Sequence, residues 1–270
     1  MDGLAGSRKT AGPLDVAAAM MTTDTYPKLV WRSLAIAGGE VRLLGMAKGS
    51  GMICPNMATM LGFLISDAGV APDVLQEILQ AAATETFNRL SVDGDTSTND
   101  CVLALANGSS GIHLDDRDLR QFREAFTALC RELSELLIQD AEGGTKSIRI
   151  QVRGAGDAVQ AEDAARTVAH SPLVKTAMYG QDPNWGRIVA ALGRSRASFD
   201  PAGVEVAFGD RPVFVQGRPV RADLDLLLKP CLERDTITIR IDLGAGEGEA
   251  EILTSDLSPE YVHINADYRT

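Results

Sequence analysis

The chain has 270 residues, 45% of them apolar and 23% charged, which is the composition of a globular protein with a substantial core. Its formal net charge is −11 and no lysine- or arginine-rich run occurs, which argues against a nucleic-acid partner, because phosphate binding needs a clustered positive face. Cys54, Cys101, Cys130 and Cys231 form no CxxC pair and His113, His170 and His263 lie far apart. That spacing argues against a metal site, and the cysteines are expected as reduced thiols. No apolar signal region opens the chain and no run of about eighteen apolar residues occurs, so neither secretion nor membrane contact is expected and a cytoplasmic location is the default.

The first dozen residues are small and polar, a loose lead-in. Residues 14–21 are alanine-rich and helical in character, stopping at the hydroxyl run Thr22-Thr23-Asp24-Thr25 and at Pro27. Residues 29–37 and 41–46 are β-leaning runs around Gly38-Gly39, the pattern of a hairpin. A glycine-rich loop follows, and the apolar run 57–65 reads as a buried strand. Residues 72–90 form an amphipathic helix with Pro72 in its first turn and Leu75, Ile78, Leu79 and Ala82 at helical spacing. A polar loop, 93–100, leads into the apolar segment 101–106. Residues 115–139 carry one long stripe of Leu119, Phe122, Phe126, Leu129, Leu133, Leu136 and Leu137, the longest helix expected, ended by Gly143-Gly144.

Residues 147–152 alternate like a half-buried strand, and 158–169 read as helix. A Gly/Asn/Pro-rich turn covers 180–186, and 188–192 read as the start of a helix. The last third reads as strands at 204–208, 213–216, 236–243, 249–253 and 261–265. Helices and strands mix without strict βαβ alternation. The expected fold class is α+β, a layered sandwich of helices and largely antiparallel β-sheets.

Four stretches could carry chemistry. In the segment from Lys48 to Thr59, glycines let backbone amides approach a ligand and Lys48 could hold a carboxylate, although by itself the segment reads better as a plain strand connection with an exposed lysine. Asp93-Gly94-Asp95-Thr96-Ser97-Thr98-Asn99-Asp100 has the spaced acids of a calcium loop, but Ala104 stands where the closing glutamate belongs. A hydroxyl-rich loop that satisfies its own backbone is the better reading. Asp182-Pro183-Asn184-Trp185-Gly186-Arg187 reads as a surface turn with a packing tryptophan, and 265–270 as a frayed tail. Neither Gly-x-Ser-x-Gly nor a phosphate loop is present.

Taken together and in order, these stretches resemble the ornithine acetyltransferase family. The resemblance rests on Met21-Thr22-Thr23-Asp24-Thr25, on the run from Ala47 through Lys48-Gly49-Ser50-Gly51 to Ala58-Thr59, and on the 93–100 loop. It continues in Glu142-Gly143-Gly144-Thr145-Lys146, Ser171-Pro172-Leu173-Val174-Lys175-Thr176-Ala177, the Asp182 to Arg187 segment and residues 265–270. It implies a fold like that of the self-processing aminopeptidases. It also implies acetyl transfer from N2-acetylornithine to glutamate in arginine biosynthesis, with acetyl-coenzyme A as a further donor in some members and no cofactor.

The same resemblance implies autocatalytic cleavage between Ala58 and Thr59, giving 1–58 and 59–270 as associated α and β chains, expected as a heterotetramer. Thr59 is the implied nucleophile, and Thr22, Lys48, Thr59, Glu142, Asn265 and Thr270 match the substrate-binding positions. The family carries a long segment before the Met21 to Thr25 motif, and that segment holds the Thr-Gly pair of the oxyanion hole. Only about twenty residues precede the motif here and none substitutes for the pair, so weak activity is expected. Two alternatives stay open: a self-processing amidase or aminopeptidase of the same fold, and an inactive truncated remnant.

Overall fold

The computed structural model describes residues 11–54 and 60–267. They divide into two compact units, the first formed by residues up to 90 and 95–140, the second by 91–94 and residues from 141 onward.

In the first unit, α1 (Pro13–Met20) leads to the hairpin of β1 (Lys28–Ile36) and β2 (Gly39–Lys48), antiparallel in the register Lys28↔Ala47 to Ile36↔Gly39. β3 (Leu61–Ser66) pairs antiparallel with β2, and β5 (Cys101–Ala106) pairs parallel with β3. The resulting four-stranded sheet has the order β1-β2-β3-β5.

Helices α2 (Pro72–Glu85) and α3 (Asp116–Gln139) complete this unit. Asp115 caps α3 by accepting from the Arg117 and Asp118 amides, both at 2.8 Å. The expected stripe is its buried face: Phe122, Phe126, Leu129, Leu133 and Leu137 are sealed, each worth about 1.5–3 kcal/mol of burial. Close approach of α3 to β2 requires Gly45, where a Cβ would come within 2.5 Å of Leu129 and 2.7 Å of Leu133. The helix expected over 72–90 is shorter than its apolar pattern, because Thr86 leaves helical geometry and a short 3₁₀ turn at Phe87–Arg89 follows.

The second unit is built on a seven-stranded sheet. β4 (Leu90–Ser91), β6 (Ser147–Ala155), β7 (Glu205–Phe208), β8 (Arg211–Val215), β9 (Arg218–Pro219), β10 (Thr236–Asp242) and β11 (Gly248–Ser255) stand in the order β4-β11-β6-β10-β7-β8-β9. Only β6 and β10 are parallel among the pairings with a described register. Its helices are α4 (Ala158–Ala169), α5 (Pro172–Tyr179), α6 (Trp185–Leu192), α7 (Leu224–Leu232) and α8 (Pro259–Asp267). Ala161, Ala164, Ala165 and Val168 of α4 share one buried core with Ile148, Ile150 and Val152 of β6. Mixed helices with mainly antiparallel sheets are the α+β layered fold that the pattern predicts.

One expected strand is corrected. Residues 261–265 are β-leaning in composition, yet they lie in α8. The start signals outweigh propensity: the Ser258 hydroxyl accepts the Glu260 amide at 3.1 Å, and Pro259 opens the helix with a preset φ. Two helices escaped the sequence reading. α5 starts on the Ser171 cap with Pro172 behind it, and α7 keeps an internal Pro230. The turn expected over 180–186 is shorter, since Asn184 caps α6 and Trp185 begins it, stacking on Phe214 at 4.9 Å.

Candidate functional site

The predicted site residues fall into both units, and each group is built differently. In the first unit they gather at one end of the four-stranded sheet. Lys48 ends β2 opposite Leu61, and Leu61 pairs in turn with Cys101. A row Lys48–Leu61–Cys101 therefore crosses three strands at the point where β3 begins. Ala58 and Thr59 lie outside the described residues, as does Thr270, but the chain on either side of 55–59 is held by the 93–100 loop and by the first residue of β5. The Thr96 hydroxyl donates to the Cys54 carbonyl at 2.8 Å, and the Cys101 amide donates to the Met60 carbonyl at 2.9 Å. The 93–100 segment also bonds to itself, the Ser97 hydroxyl accepting the Asn99 amide at 3.1 Å, as expected of a hydroxyl-rich loop.

Behind Lys48 lies a sealed ionic cluster. The Lys28 ammonium donates to Asp24 and to Asp140, both at 2.6 Å, with all three side chains at most 2% exposed. Asp24 also accepts the Gly49 amide at 2.7 Å and the Thr22 amide at 3.1 Å. Asp140 accepts the Thr25 amide and hydroxyl. Burial pushes the Asp24 carboxyl up, but the Gly49 amide, Lys28 and the Thr22 amide outweigh it and hold it below its usual range. The cluster thus ties the Thr22 backbone and the glycine beside Lys48 to one buried carboxylate. Gly49 needs its φ of +142°, which favours glycine. Ser50 joins through its hydroxyl, 2.7 Å from that of Thr23.

In the second unit Glu142 and Asn265 meet. Asn265 Nδ2 donates to Glu142 at 3.1 Å and to the Tyr261 carbonyl at 3.0 Å. The turn that carries Glu142 is held by Asp256, which accepts the Thr145 amide at 2.8 Å, the Thr145 hydroxyl at 2.5 Å and the Lys146 amide at 3.1 Å. Gly143 has φ +63°, and a Cβ there would overlap the Tyr261 backbone. The Ser258 hydroxyl donates to the Gly143 carbonyl at 2.5 Å, so α8 sits directly on this turn. Nearby in sequence to none of these, Lys175 is buried against the Val92 carbonyl at 2.8 Å, Thr254 at 3.0 Å and the Ser255 carbonyl at 2.5 Å. Burial lowers its ammonium to about 8 against the opposing pull of Asp256 and Asp93.

Sequence reading missed Asp140 and Asp256, which touch the flagged segments from more than a hundred positions away, and Lys28, four residues beyond Asp24. It did contain one signal, Asp24 inside the Met21 to Thr25 motif. A concavity of about 680 Å³ lies elsewhere, on the polar face of the seven-stranded sheet, lined by Arg153, Arg240, Asp210 and Asp242, which pair with one another. It contains none of the predicted residues. Among the described residues no cluster of His, Cys, Asp and Glu could hold a metal ion, and no helix is long and apolar enough to cross a membrane.

The sequence profile of the ArgJ family matches residues 2–270. An arginine biosynthesis bifunctional protein ArgJ from Nitratidesulfovibrio vulgaris is 54% identical over 95% of this chain and 65% of its own length. Its counterpart from Chlorobaculum tepidum is 47% identical over 95% of this chain and 63% of its own. The chain therefore spans a little under two thirds of these curated relatives. A crystal structure of the ArgJ protein from Bacillus halodurans aligns with a TM-score of 0.72 at 37% identity, covering 76% of this chain and 98% of that one. On profile, identity and fold together, the chain belongs to the ArgJ family.

Proposed function

We propose that this chain carries the nucleophile of an acetyltransferase of arginine biosynthesis, moving acetyl from N2-acetylornithine to glutamate through Thr59. The observation that carries the reading is the sheet end, where the 93–100 loop holds Cys54 and the first residue of β5 holds Met60, while Lys48 stands in the adjoining strand. Intramolecular attack is favoured where the flanking chain is held in place.

The chemistry runs in two stages. In processing, the Thr59 hydroxyl adds to the Ala58 carbonyl, the C–N bond breaks, and the proton passes to the departing nitrogen. Water then hydrolyses the ester, leaving an Ala58 carboxylate and a free Thr59 hydroxyl and amine. That amine titrates near ~7.7–8.0, so enough of it is neutral at physiological pH to act as base for its own hydroxyl. In turnover the hydroxyl takes acetyl from acetylornithine, ornithine leaves as the amine, and the glutamate amine then removes the acetyl. No metal or cofactor enters these steps; acetyl-coenzyme A can serve as an alternative acetyl donor.

Lys48 is assigned to a substrate carboxylate and Glu142 to the ornithine ammonium, with Asn265 orienting Glu142 through the hydrogen bond between them. Thr22 and Thr270 complete the binding set. The pieces 1–58 and 59–270 stay associated in this reading, supported by the pairing of β2 with β3 across the cut. They assemble as a heterotetramer in the cytoplasm, with neither nucleic acid nor membrane as partner.

Intact mass spectrometry tests the processing step, and a single uncut species after long incubation sinks it. Thr59→Ala abolishes the cut, while Thr59→Ser keeps the hydroxyl and some cutting. Acetylornithine consumption that depends on added glutamate separates a transferase from an amidase, which consumes it without glutamate.

A further inference from the structure

The stretch from Ser171 to Ala177 has no task in the chemistry above, and Lys175 within it is the residue that calls for one. Lysine is almost never fully buried unless it is paired, and Lys175 is only 5% exposed. A methionine would fill the same space without giving up the hydration of a charge. What the ammonium gains is a hold on two strand ends, both within the second unit. It donates to the Val92 carbonyl at 2.8 Å, just past β4, and to the Ser255 carbonyl at 2.5 Å, at the end of β11. The Lys175 carbonyl in turn accepts the Leu257 amide at 3.4 Å, so the chain is held on both sides of Asp256. Burial lowers the ammonium to about 8, and the two charges that resist this are Asp256 and Asp93. Each follows directly on one of the two carbonyls that Lys175 binds.

Those two carboxylates lead to the two members of the Glu142–Asn265 pair. Asp256 accepts the Thr145 and Lys146 amides and so holds the turn that carries Glu142. Asp93 accepts the Tyr261 hydroxyl at 3.2 Å, and the Tyr261 carbonyl accepts from Asn265 Nδ2 at 3.0 Å. We propose that Lys175 is a positioning residue for the substrate ammonium: by tying Val92 to Ser255 it fixes the two carboxylates that set Glu142 and Asn265 against each other. The inference rests on the assignment of Glu142 to the ornithine ammonium. That ammonium is the side-chain one, since the other nitrogen of N2-acetylornithine carries the acetyl group. Lys175 touches no substrate; it acts through two acids, as the groups that orient a binding residue do. The tolerance is small. Asn265 Nδ2 reaches Glu142 at 3.1 Å, and a slip of about half an ångström between turn and helix takes the pair out of hydrogen-bonding range.

Calorimetric titration of the whole protein with ornithine, and separately with glutamate, tests this without requiring turnover. Glu142→Gln weakens ornithine binding about tenfold, the loss of one charge-assisted contact. Lys175→Met weakens it by about five- to tenfold and Tyr261→Phe by about threefold, through misplacement of the same contact. Glutamate has no side-chain ammonium, and its binding weakens by no more than about twofold in any of the three. In the Glu142→Gln background neither Lys175→Met nor Tyr261→Phe adds a further loss, the mark of residues that act through Glu142. Lys175→Gln, which keeps two donors, stands in for Lys175→Met where that variant does not fold; where neither folds, Tyr261→Phe decides by the same criteria. A wild type that binds no ornithine, or a Glu142→Gln variant that loses none of its binding, overturns the Glu142 assignment and this inference together. A Glu142→Gln loss that either Lys175→Met or Tyr261→Phe fails to share overturns this inference alone. So does an equal loss for both ligands, which reduces Lys175 to a fastening of the fold, and so does a loss that persists beside Glu142→Gln.

Discussion

Asp24, Lys28 and Asp140 in the first unit are closed off from water, whereas Glu142 and Asn265 in the second meet where Asn265 is exposed. The first group acts on the site at one remove. Its buried charges fix the backbone of Thr22 and of Gly49, the chain neighbour of Lys48. The second group is a direct contact whose geometry comes from backbone: a left-handed glycine, a docked helix and the Asp256 brace. Removing a buried charge partner strands the others in a low dielectric, while removing an exposed amide lets water take its place. The two groups should therefore fail in different ways, one through stability and one through binding.

The largest effect is expected from Lys28→Ala, which leaves two buried carboxylates without a cation. A loss of about 3–5 kcal/mol, measured by denaturant unfolding, is the expected outcome. A loss below about 1 kcal/mol means that the cluster is more hydrated than its sealed geometry indicates. Next comes Gly143→Ala, where a side chain both strains a left-handed backbone and meets the Tyr261 backbone. Strain of this kind costs about 1–3 kcal/mol, and lifting α8 off its turn should also raise KM by displacing Asn265. An unchanged KM breaks the link between the glycine turn and binding.

The two units also differ in their pH response. Asp24 is held below its unfolded value, so its contribution to stability is present above about pH 3.8 and is lost as pH falls through its folded value. Lys175 is a base lowered to about 8, so the folded state binds fewer protons than the unfolded chain between about 8 and 10.5. Stability from Lys175 consequently rises across that window, and a Lys175→Met variant should lose the rise. Unfolding curves of wild type and variant from pH 7 to 10.5 check the sign. The smallest effects on stability belong to Asn265→Ala and Lys48→Ala, each within about 1 kcal/mol of wild type. Both should raise KM at nearly constant Tm. Activity unaffected by Lys48→Ala returns the glycine-rich segment to a structural role.

Much of this was legible in the residues. The stripe from Phe122 to Leu137 has one periodicity and one reading, and the hairpin around Gly38-Gly39 announces its own turn. Tyr261 to Asn265 was misread because β-leaning side chains suggest a strand while Ser258 and Pro259, just upstream, start a helix. The motif segments could be located from sequence, but not what holds them. Asp140 reaches Lys28 across 112 positions and Asp256 reaches Thr145 across 111, pairings that no local pattern encodes. Asp100 is a similar case: in sequence it is one acid of a hydroxyl-rich loop, and only the β3–β5 register sets it beside Met60.

The central claim is that Thr59 becomes the N-terminus of residues 59–270 and carries the acetyl group. Incubating the purified protein with N2-acetylornithine and no glutamate, then quenching and sequencing by tandem mass spectrometry, reads this directly. The account predicts a C-terminal piece that begins at Thr59, is one acetyl group heavier at that residue, and loses the acetyl when glutamate is added. An uncut chain, or a cut chain that turns over acetylornithine without ever holding acetyl on Thr59, contradicts it.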